Sequence, residues 1–325
     1  MDKQLAEANC ESMPHMSLEE GVCSACGISA TWSVVHNTYG GDYRICAECL
    51  SEFQVHTDKS QIFKKFESEQ ARYYGDEDRV DSPLLSGVLE RRAKQRVSVI
   101  QRYVTAGRVL EVGPGGGDVA RLLKEVGFEV EAVEHSEMLS ARLGHIFGDK
   151  IYRGAFEELD LGDSRFDAWM SFHVIEHVTN PERHLRAGWK VTRAGGWAFV
   201  ATPNSRGWEH RVSGDLSPNY STAHLRLYSP QGLSSLMQKA GWSIQGVFAL
   251  PTEDGWIRVA TSYLRHFRRR KINSATSRGK VSKTMPIWVG ESALAVCRLI
   301  LWMPAKFQRM FNGGNELLIV ARKNA

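Results

Sequence analysis

The sequence lacks any stretch of eighteen or more uncharged apolar residues, which is the length that a membrane-spanning helix needs. Its first thirty residues contain acids where a secretory signal peptide would have an apolar stretch, so we expect a cytoplasmic protein. Internal repeats and low-complexity tracts are lacking too. What remains is an ordinary globular composition, 42% hydrophobic and 24% charged over 325 residues. This is enough for one α/β domain with appendages.

Cysteine is also scarce, and four of the six cysteines form the pairs Cys23-x-x-Cys26 and Cys46-x-x-Cys49. In a chain without an export signal, this pattern favours a metal over disulfides. The two pairs are separated by nineteen residues, which is close to the spacing of a zinc ribbon, and four thiolates complete a tetrahedral coordination sphere. We therefore predict a structural Zn²⁺ ion in a head over residues 1–60. Free buried cysteines are the alternative.

Charge is distributed unevenly along the chain. Between Arg258 and Arg309 there are twelve bases and a single acid, so this block carries +11, while the remaining 29 bases and 36 acids give −7. Within it, residues 286–304 have prolines at both limits and tryptophans near them, which is typical of a helix at a membrane interface. We expect a basic amphipathic helical insert over 251–312 that contacts an anionic membrane at its cytoplasmic face. A helical subdomain that covers the active site is the alternative.

Strands and helices alternate from residue 106 onward. The pattern predicts a strand over Arg108–Val112, a helix over Val119–Val126 and a strand over Glu129–Val133. Further strands are predicted over 166–172, 196–201, 243–250 and 316–321, with helices that begin at Asn180-Pro181 and at Pro230. This order is typical of a parallel sheet with helices on both faces. We predict an α/β domain over 106–250 and 313–325, preceded by a helical linker or lid over 61–105.

The first strand ends in the turn Gly113-Pro114-Gly115-Gly116-Gly117, where a ligand can approach the backbone closely beside a helix N-terminus. A dinucleotide site is the main rival, but it needs a third glycine where Asp118 stands. An acid there repels pyrophosphate, whereas a cofactor with a sulfonium and an ammonium group tolerates Glu111 and Asp118. Glu134 ends the second strand, where a carboxylate can accept both ribose hydroxyl protons. A purely structural turn is the alternative.

These segments, with Gly154–Leu159, Ile175–His177 and Thr202–Asn204, closely resemble the ordered motifs of class I S-adenosylmethionine-dependent methyltransferases, in the branch similar to ubiquinone and surface-sugar methyltransferases. The resemblance implies a Rossmann-like fold with a mostly parallel seven-stranded sheet, and S-adenosylmethionine as the cofactor. Because the family often has an aspartate where Ala155 stands, adenine recognition here would use backbone groups and Phe156. The implied cofactor residues are Glu111, Gly113 and Gly115 at the methionine moiety, Glu134 at the ribose, Ala155 and Phe156 at the adenine, and Gly117, His135 and Phe172 around them.

The segment His173-Val-Ile-Glu176-His177 also matches the His-x-x-Glu-His zinc-peptidase signature, which requires a helix. Here it directly follows a predicted strand, so we expect a loop at the carboxyl end of that strand, where ligands bind in open α/β sheets. In the resembling family the Glu-His pair faces the acceptor, and in some members it helps hold a divalent metal, so Mg²⁺ is a further expectation. We predict His177 as the base, oriented by Glu176, with His224 as a second candidate and His173 as a further catalytic residue. A structural role for this loop is the alternative.

The sequence therefore predicts a methyltransferase that acts on oxygen of a carbohydrate or lipid-linked acceptor, in cell-surface polysaccharide or related biosynthesis. A quinone or natural-product methyltransferase is one alternative. A nucleic-acid-binding or scaffold protein with a vestigial cofactor fold is another, against which the intact Glu111, Gly113, Gly115 and Glu134 argue. The head is not notably basic, so we expect no nucleic-acid partner; covering the substrate or dimerisation is its predicted role.

Overall fold

The computed structural model describes residues 20–37, 41–55, 83–161, 165–252, 255–274, 308, 311 and 313–324. The strands are β1 (Glu20–Val22), β2 (Ser29–Asn37), β3 (Gly41–Cys46), β4 (Glu52–Gln54), β5 (Gly107–Val112), β6 (Phe128–Glu134), β7 (Ile151–Arg153), β8 (Phe166–Phe172), β9 (Thr192–Pro203), β10 (Arg226–Leu227), β11 (Trp242–Leu250) and β12 (Glu316–Lys323). The helices are α1 (Pro83–Ile100), α2 (Asp118–Glu125), α3 (Glu137–Arg142), α4 (Gly144–Phe147), α5 (Pro181–Val191), α6 (Trp208–Ser213), α7 (Pro230–Lys239) and α8 (Gly255–Ser274). Short 3₁₀ turns cover Phe156–Glu158 and Gly214–Leu216.

The larger sheet has seven strands in the order β11-β12-β9-β8-β5-β6-β7. β5 pairs in parallel with β6 and β8, and the parallel pairing continues to β7 on one side and β9 on the other. β12 is inserted between β9 and β11 and runs antiparallel to both. The sheet is thus mostly parallel with one reversed strand, as predicted.

Successive side chains of a strand point to opposite faces of a sheet, and in this sheet both faces are covered and buried. Leu110 and Trp169 belong to a core that includes residues of α5 and α7, whereas Val109 and Met170 belong to a core that includes residues of α1 and α2. Close approach of α5 to β8 depends on Gly188, where an added Cβ would lie 2.5 Å from Cδ2 of Trp169. A larger residue there would overpack the core, at a cost of about 1–3 kcal/mol.

The cysteine-containing head and the α/β domain share a second sheet. Its order is β1-β2-β3-β4-β10, with antiparallel pairing throughout, and β10 comes from the α/β part of the chain. Cys23 and Cys49 lie in the same hydrophobic core as Tyr228 and Leu233. The head is therefore built onto the domain through both a strand and a core.

Only the beginning of the basic segment lies within the described residues. α8 packs through buried Val259 and Ser262, and the predicted interfacial stretch 286–304 lies outside the described residues, as does the predicted linker from 61 to 82. Among the helices that the structure describes, none combines the length and the apolar character needed to cross a membrane.

Candidate functional site

A cavity of about 270 Å³ lies at the carboxyl ends of β5 and β8. The glycine turn after β5 and the first residues after β8 line it, together with side chains of α1 and Arg258 of α8. β12 runs in the reverse direction, so its first residue, Glu316, reaches the same edge of the sheet. In open α/β sheets this edge is where ligands bind.

The turn after β5 has a backbone that only glycine adopts readily. Gly113, Gly115 and Gly117 have φ angles of 65°, 58° and 78°, in the left-handed region. A Cβ at Gly113 would lie 2.6 Å from Cγ2 of Val174, so a side chain would also collide with the loop after β8. The turn therefore brings bare backbone to the cavity wall, immediately before α2.

Glu111, the penultimate residue of β5, is a buried carboxylate that lines the cavity. Burial raises the pKa of Glu111 to about 8, and the positive charge of Arg96 offsets this only in part. Within the described part of the chain, its Oε2 atom has no hydrogen-bond partner. A cationic ligand group, such as the ammonium of a methionine moiety, would supply the missing charge.

Glu134 is the last residue of the neighbouring strand, β6. Its Oε1 atom accepts a hydrogen bond from the backbone N–H of Ser136 at 2.8 Å, and burial raises its pKa. Its Oε2 atom is buried and has no partner among the residues described. Hydroxyl donors from a ligand would satisfy it. The adjacent parallel strands β5 and β6 thus each have, at or near their last residue, a carboxylate with one oxygen atom that accepts no hydrogen bond from a described residue.

The other predicted cofactor residues divide into two groups. Phe172 lines the cavity, with the guanidinium carbon of Arg96 5.0 Å from its ring centroid. Phe156 instead packs into the core, stacked 6.0 Å from Trp169, and His135 is exposed. The cavity is lined by Glu111, Gly113, Gly115 and Phe172, whereas Gly117, Glu134, His135, Ala155 and Phe156 lie outside its lining.

The segment after β8 forms turns rather than a helix, so the zinc-peptidase alternative has no structural basis here. His173 has a φ of 56°, which is uncommon for a residue with a side chain. Its Nδ1 lies 3.1 Å from Oε1 of Glu176, and its Nε2 lies 2.9 Å from Oε2 of Glu316. Burial lowers the pKa of His173, but the two carboxylates raise it by more. Both ring nitrogens of His173 therefore face carboxylates, which favour the protonated form of the imidazole.

Arg96 and Glu316 complete this network, and sequence reasoning missed both. The guanidinium of Arg96 donates two hydrogen bonds to Glu316, at 2.9 and 2.7 Å. The pKa of Glu316 lies well below its ordinary value, because Arg96 and His173 outweigh the effect of burial. Neither residue belongs to a motif, and only the antiparallel direction of β12 in the structure places Glu316 at this edge of the sheet.

Glu176 is also ionised. Burial raises its pKa, but hydrogen bonding to His173 and the nearby histidines lower it to about 2. Thr202 donates a hydrogen bond from Oγ1 to Oε2 of Glu176 at 3.1 Å, and the backbone carbonyl of Glu176 accepts one from Leu225 N–H at 2.8 Å. Glu176 thus connects the loop after β8 with the segment that follows His224.

His177 and His224 form a pair, with ring centroids 4.9 Å apart. The Nδ1 atom of each lies near a backbone carbonyl, that of Ala223 at 2.8 Å for His177 and that of Asn219 at 2.7 Å for His224. Nδ1 must therefore donate in both rings, which leaves Nε2 as the acceptor. Burial lowers the pKa of His224 to about 4, so this ring is neutral. His224 and His173 line the cavity, whereas His177 and Glu176 lie behind them.

This pair and Glu176 could also hold a metal ion, because one ligand atom from each lies within 4.8 Å of the other two. Histidines oriented through Nδ1 are typical of metal sites. However, Mg²⁺ prefers oxygen ligands, and two imidazoles with one carboxylate suit zinc or iron better. The donor set does not favour the expected Mg²⁺.

The four paired cysteines converge in the head. Sγ of Cys23 lies 3.7 Å from that of Cys49, and Sγ of Cys26 lies 4.0 Å from that of Cys46, with no disulfide among them. In a tetrahedral zinc site with Zn–S bonds of about 2.3 Å, neighbouring sulfurs are about 3.8 Å apart. The geometry fits a Cys₄ metal site.

Comparison with known proteins supports the methyltransferase fold that the sequence predicts. Residues 85–246 match the family model described as a methyltransferase domain. The chain is 31% identical over 148 residues to a Mycolicibacterium smegmatis protein named "Probable S-adenosylmethionine-dependent methyltransferase", covering 44% of this chain and 56% of that one. It is 35% identical over 102 residues to the ubiquinone biosynthesis O-methyltransferase of Caulobacter vibrioides, covering 30% and 40%. The chain spans about half the length of the curated relatives it matches.

Two solved structures are similar at low identity. One is an S-adenosylmethionine-dependent methyltransferase of Thermotoga maritima, with 19% identity, a TM-score of 0.50, and coverage of 82% of this chain and 100% of that one. The other is the 1,6-didemethyltoxoflavin-N1-methyltransferase of Burkholderia thailandensis, solved with S-adenosylhomocysteine, with 16% identity, a TM-score of 0.50, and coverage of 86% and 98%. These similarities confirm the predicted Rossmann-like class I methyltransferase fold.

Proposed function

We propose that this chain, whose residues 85–246 match the methyltransferase-domain family model, transfers a methyl group from S-adenosylmethionine to an oxygen atom of its acceptor. The observation that carries the proposal is the pair of buried carboxylates, Glu111 and Glu134, each with an acceptor oxygen that no described residue satisfies. Glu111 would bind the methionyl ammonium, and Glu134 would accept the ribose hydroxyls. The backbone of the glycine turn would lie between them.

Calorimetric titration tests the cofactor directly. We expect S-adenosylmethionine and S-adenosylhomocysteine to bind one per chain. NAD⁺, whose pyrophosphate Asp118 would repel, should give no heat. Binding of NAD⁺ alone would overturn the proposal in favour of the dinucleotide rival.

The acceptor atom is proposed to be oxygen because the His177–His224 pair lies beside the cavity, with the Nδ1 atom of each ring already bonded to a backbone carbonyl. Methyl transfer to a hydroxyl releases a proton, and Nε2 of His224 or of His177 can take it. His224 lines the cavity, so it is the nearer of the two to an acceptor. Glu176 would orient the pair.

A carbohydrate or lipid-linked sugar is the proposed acceptor class, with a quinone or other small molecule as the second candidate. The second candidate is favoured by the similarity to proteins named ubiquinone biosynthesis O-methyltransferases. Mass spectrometry after incubation with methyl-labelled cofactor separates the two. Label should enter a glycolipid or polysaccharide extract rather than a mixture of phenolic quinone precursors, and the opposite result would select the small-molecule alternative.

We further propose that Cys23, Cys26, Cys46 and Cys49 hold one structural Zn²⁺ ion, which their sulfur spacing supports. Elemental analysis should find one zinc per chain. Peripheral binding to an anionic membrane at the cytoplasmic face remains a proposal from the charge of residues 258–309, most of which lie outside the described residues. Sedimentation with anionic vesicles at low and high salt tests it.

A further inference from the structure

We propose that the cysteine head positions the active site, with Tyr43 and strand β4 holding the loop that carries His224, so that the metal state of the head governs where this imidazole lies. The loop is defined here as residues 217–229. Its catalytic meaning rests on the proposed function, whereas the physical coupling between head and loop does not.

Tyr43 makes the most direct contact between the two. Its side chain is fully buried on β3, and its hydroxyl oxygen lies 2.8 Å from the carbonyl oxygen of Ser221 and 2.7 Å from that of His224. The single hydroxyl hydrogen can be shared between these carbonyls or donated to either. The Tyr43 ring also packs 4.6 Å from the ring of Tyr220. One side chain of the head thus contacts the backbone of the catalytic candidate itself.

Strand β4 holds the next part of the loop. It pairs with β10, placing Phe53 opposite Arg226, and Gln54 donates a backbone hydrogen bond to Leu225 O at 2.9 Å. Leu225 in turn donates from its N–H to the carbonyl of Glu176 at 2.8 Å. Leu225, the residue after His224, is therefore hydrogen-bonded to Gln54 of the head through its carbonyl and to Glu176 through its N–H.

The metal ligands lie on the same elements as these contacts. Tyr43 and Cys46 are both on β3, and Cys49 is in the turn that leads to β4. Beside Cys49, Ser51 accepts from Ser229 N–H at 3.1 Å, and Ser205 donates to Leu50 O at 2.9 Å. Cys23 and Cys26 lie in the turn between β1 and β2, and Cys46 and Cys49 lie at the end of β3 and in the turn after it, so a bound metal would cross-link these two parts of the head. Loss of the metal should therefore release the loop, although its ligands do not touch the cavity.

The coupling is tested by amide hydrogen exchange on the full-length, zinc-loaded protein. Tyr43→Phe keeps the buried ring and removes only the hydroxyl. Since an unsatisfied buried carbonyl costs about 1–3 kcal/mol, peptides covering residues 219–229 should exchange about 5- to 160-fold faster. Zinc content should stay the same. The matched control is Tyr152→Phe, which removes a 2.7 Å hydrogen bond to Glu131 at the opposite edge of the large sheet and should leave the loop unchanged.

Chelation provides the second arm. Wild-type protein stripped of metal should show fast exchange in the same peptides, while peptides of β5 and β6 stay protected. With an acceptor identified, Tyr43→Phe should lower turnover without changing the affinity for S-adenosylmethionine, which a general loss of folding would not do. Unchanged exchange at 219–229 in both Tyr43→Phe and the stripped protein overturns the coupling. Failure to bind S-adenosylmethionine would instead overturn the proposed function and leave the exchange result standing.

Discussion

Four buried glutamates at one edge of the central sheet form two contrasting pairs. Glu111 and Glu134 belong to the proposed cofactor side, and Glu176 and Glu316 belong to the proposed acceptor side. All four are at most 3% exposed, so burial alone cannot explain why the pKa is raised in the first pair and lowered in the second. The difference lies in their partners.

The acceptor pair is satisfied by the protein itself, because His173, Arg96 and Thr202 supply donors and positive charge. The cofactor pair has oxygens that no described residue satisfies. A buried carboxylate without partners is costly, and a bound cation or hydroxyl removes that cost. We therefore propose that folding preorganises the acceptor side, whereas a bound ligand completes the cofactor side.

The largest effect is expected on turnover. Replacing His177 by alanine should lower the rate about 10²–10⁴-fold if it accepts the proton, with S-adenosylmethionine affinity unchanged. His224→Ala should do the same if the pair acts together. The measurements are initial rates with labelled cofactor and calorimetric titration. A decrease of less than tenfold in both variants would assign the pair a structural role. Exposed His145→Ala is the control.

A large effect on stability is expected at Glu316. Glu316→Ala leaves the guanidinium of Arg96 and the imidazole of His173 without their shared partner in a buried site. Breaking such a pair from one side costs about 3–5 kcal/mol of unfolding free energy. Denaturant unfolding measures this, with the exposed Glu129→Ala as control. A cost under about 1 kcal/mol would mean that the acceptor side is not preorganised by this network.

Glu111→Gln should raise the free energy of unfolding, whereas Glu316→Ala should lower it. The size of the Glu111→Gln effect should depend on pH. The folded pKa of Glu111, about 8, is raised above its ordinary value of 4.5, so its stability contribution is present below pH 4.5 and lost as pH rises through 8. Glutamine is neutral throughout. The cofactor-free variant should match wild type near pH 4 and exceed it by on the order of 3 kcal/mol at pH 7. Thermal unfolding across this range measures it, and a constant difference between the two proteins would contradict the assignment.

Local patterns in the sequence were sufficient for the α/β fold. Asn180 caps α5 by accepting from Arg183 N–H at 3.0 Å, as the Asn-Pro pair predicts, and the closing strand lies where its apolar run predicts. Each of these signals is contained in a few adjacent residues, so no tertiary knowledge is needed to use it.

The acceptor network could not be predicted in the same way. Arg96 and Glu316 are 220 residues apart in sequence, and neither belongs to a recognisable motif. Strand β10 is two residues long, so no alternation of apolar and polar residues marks it in the sequence. It nevertheless attaches the head to the loop that carries His224. Such contacts depend on which elements meet in space, and that is decided by packing of the whole chain.

The smallest of these effects, and the most specific to the cofactor side, is expected at Glu134. Glu134→Ala should weaken S-adenosylmethionine binding by about 1.5–3 kcal/mol, the value of the one charge-assisted hydrogen bond that the unsatisfied Oε2 would accept from a ribose hydroxyl. Folding should not suffer, because the native carboxylate is buried with one oxygen unsatisfied and the alanine removes that cost. Calorimetric titration and thermal unfolding on the same samples measure both effects, with Glu129→Ala on the same strand as control. Weaker S-adenosylmethionine binding without a loss of folding stability is the result expected if the ligand supplies the missing hydrogen-bond donor of Glu134. Unchanged binding would remove Glu134 from the site and break the proposed contrast between the two pairs.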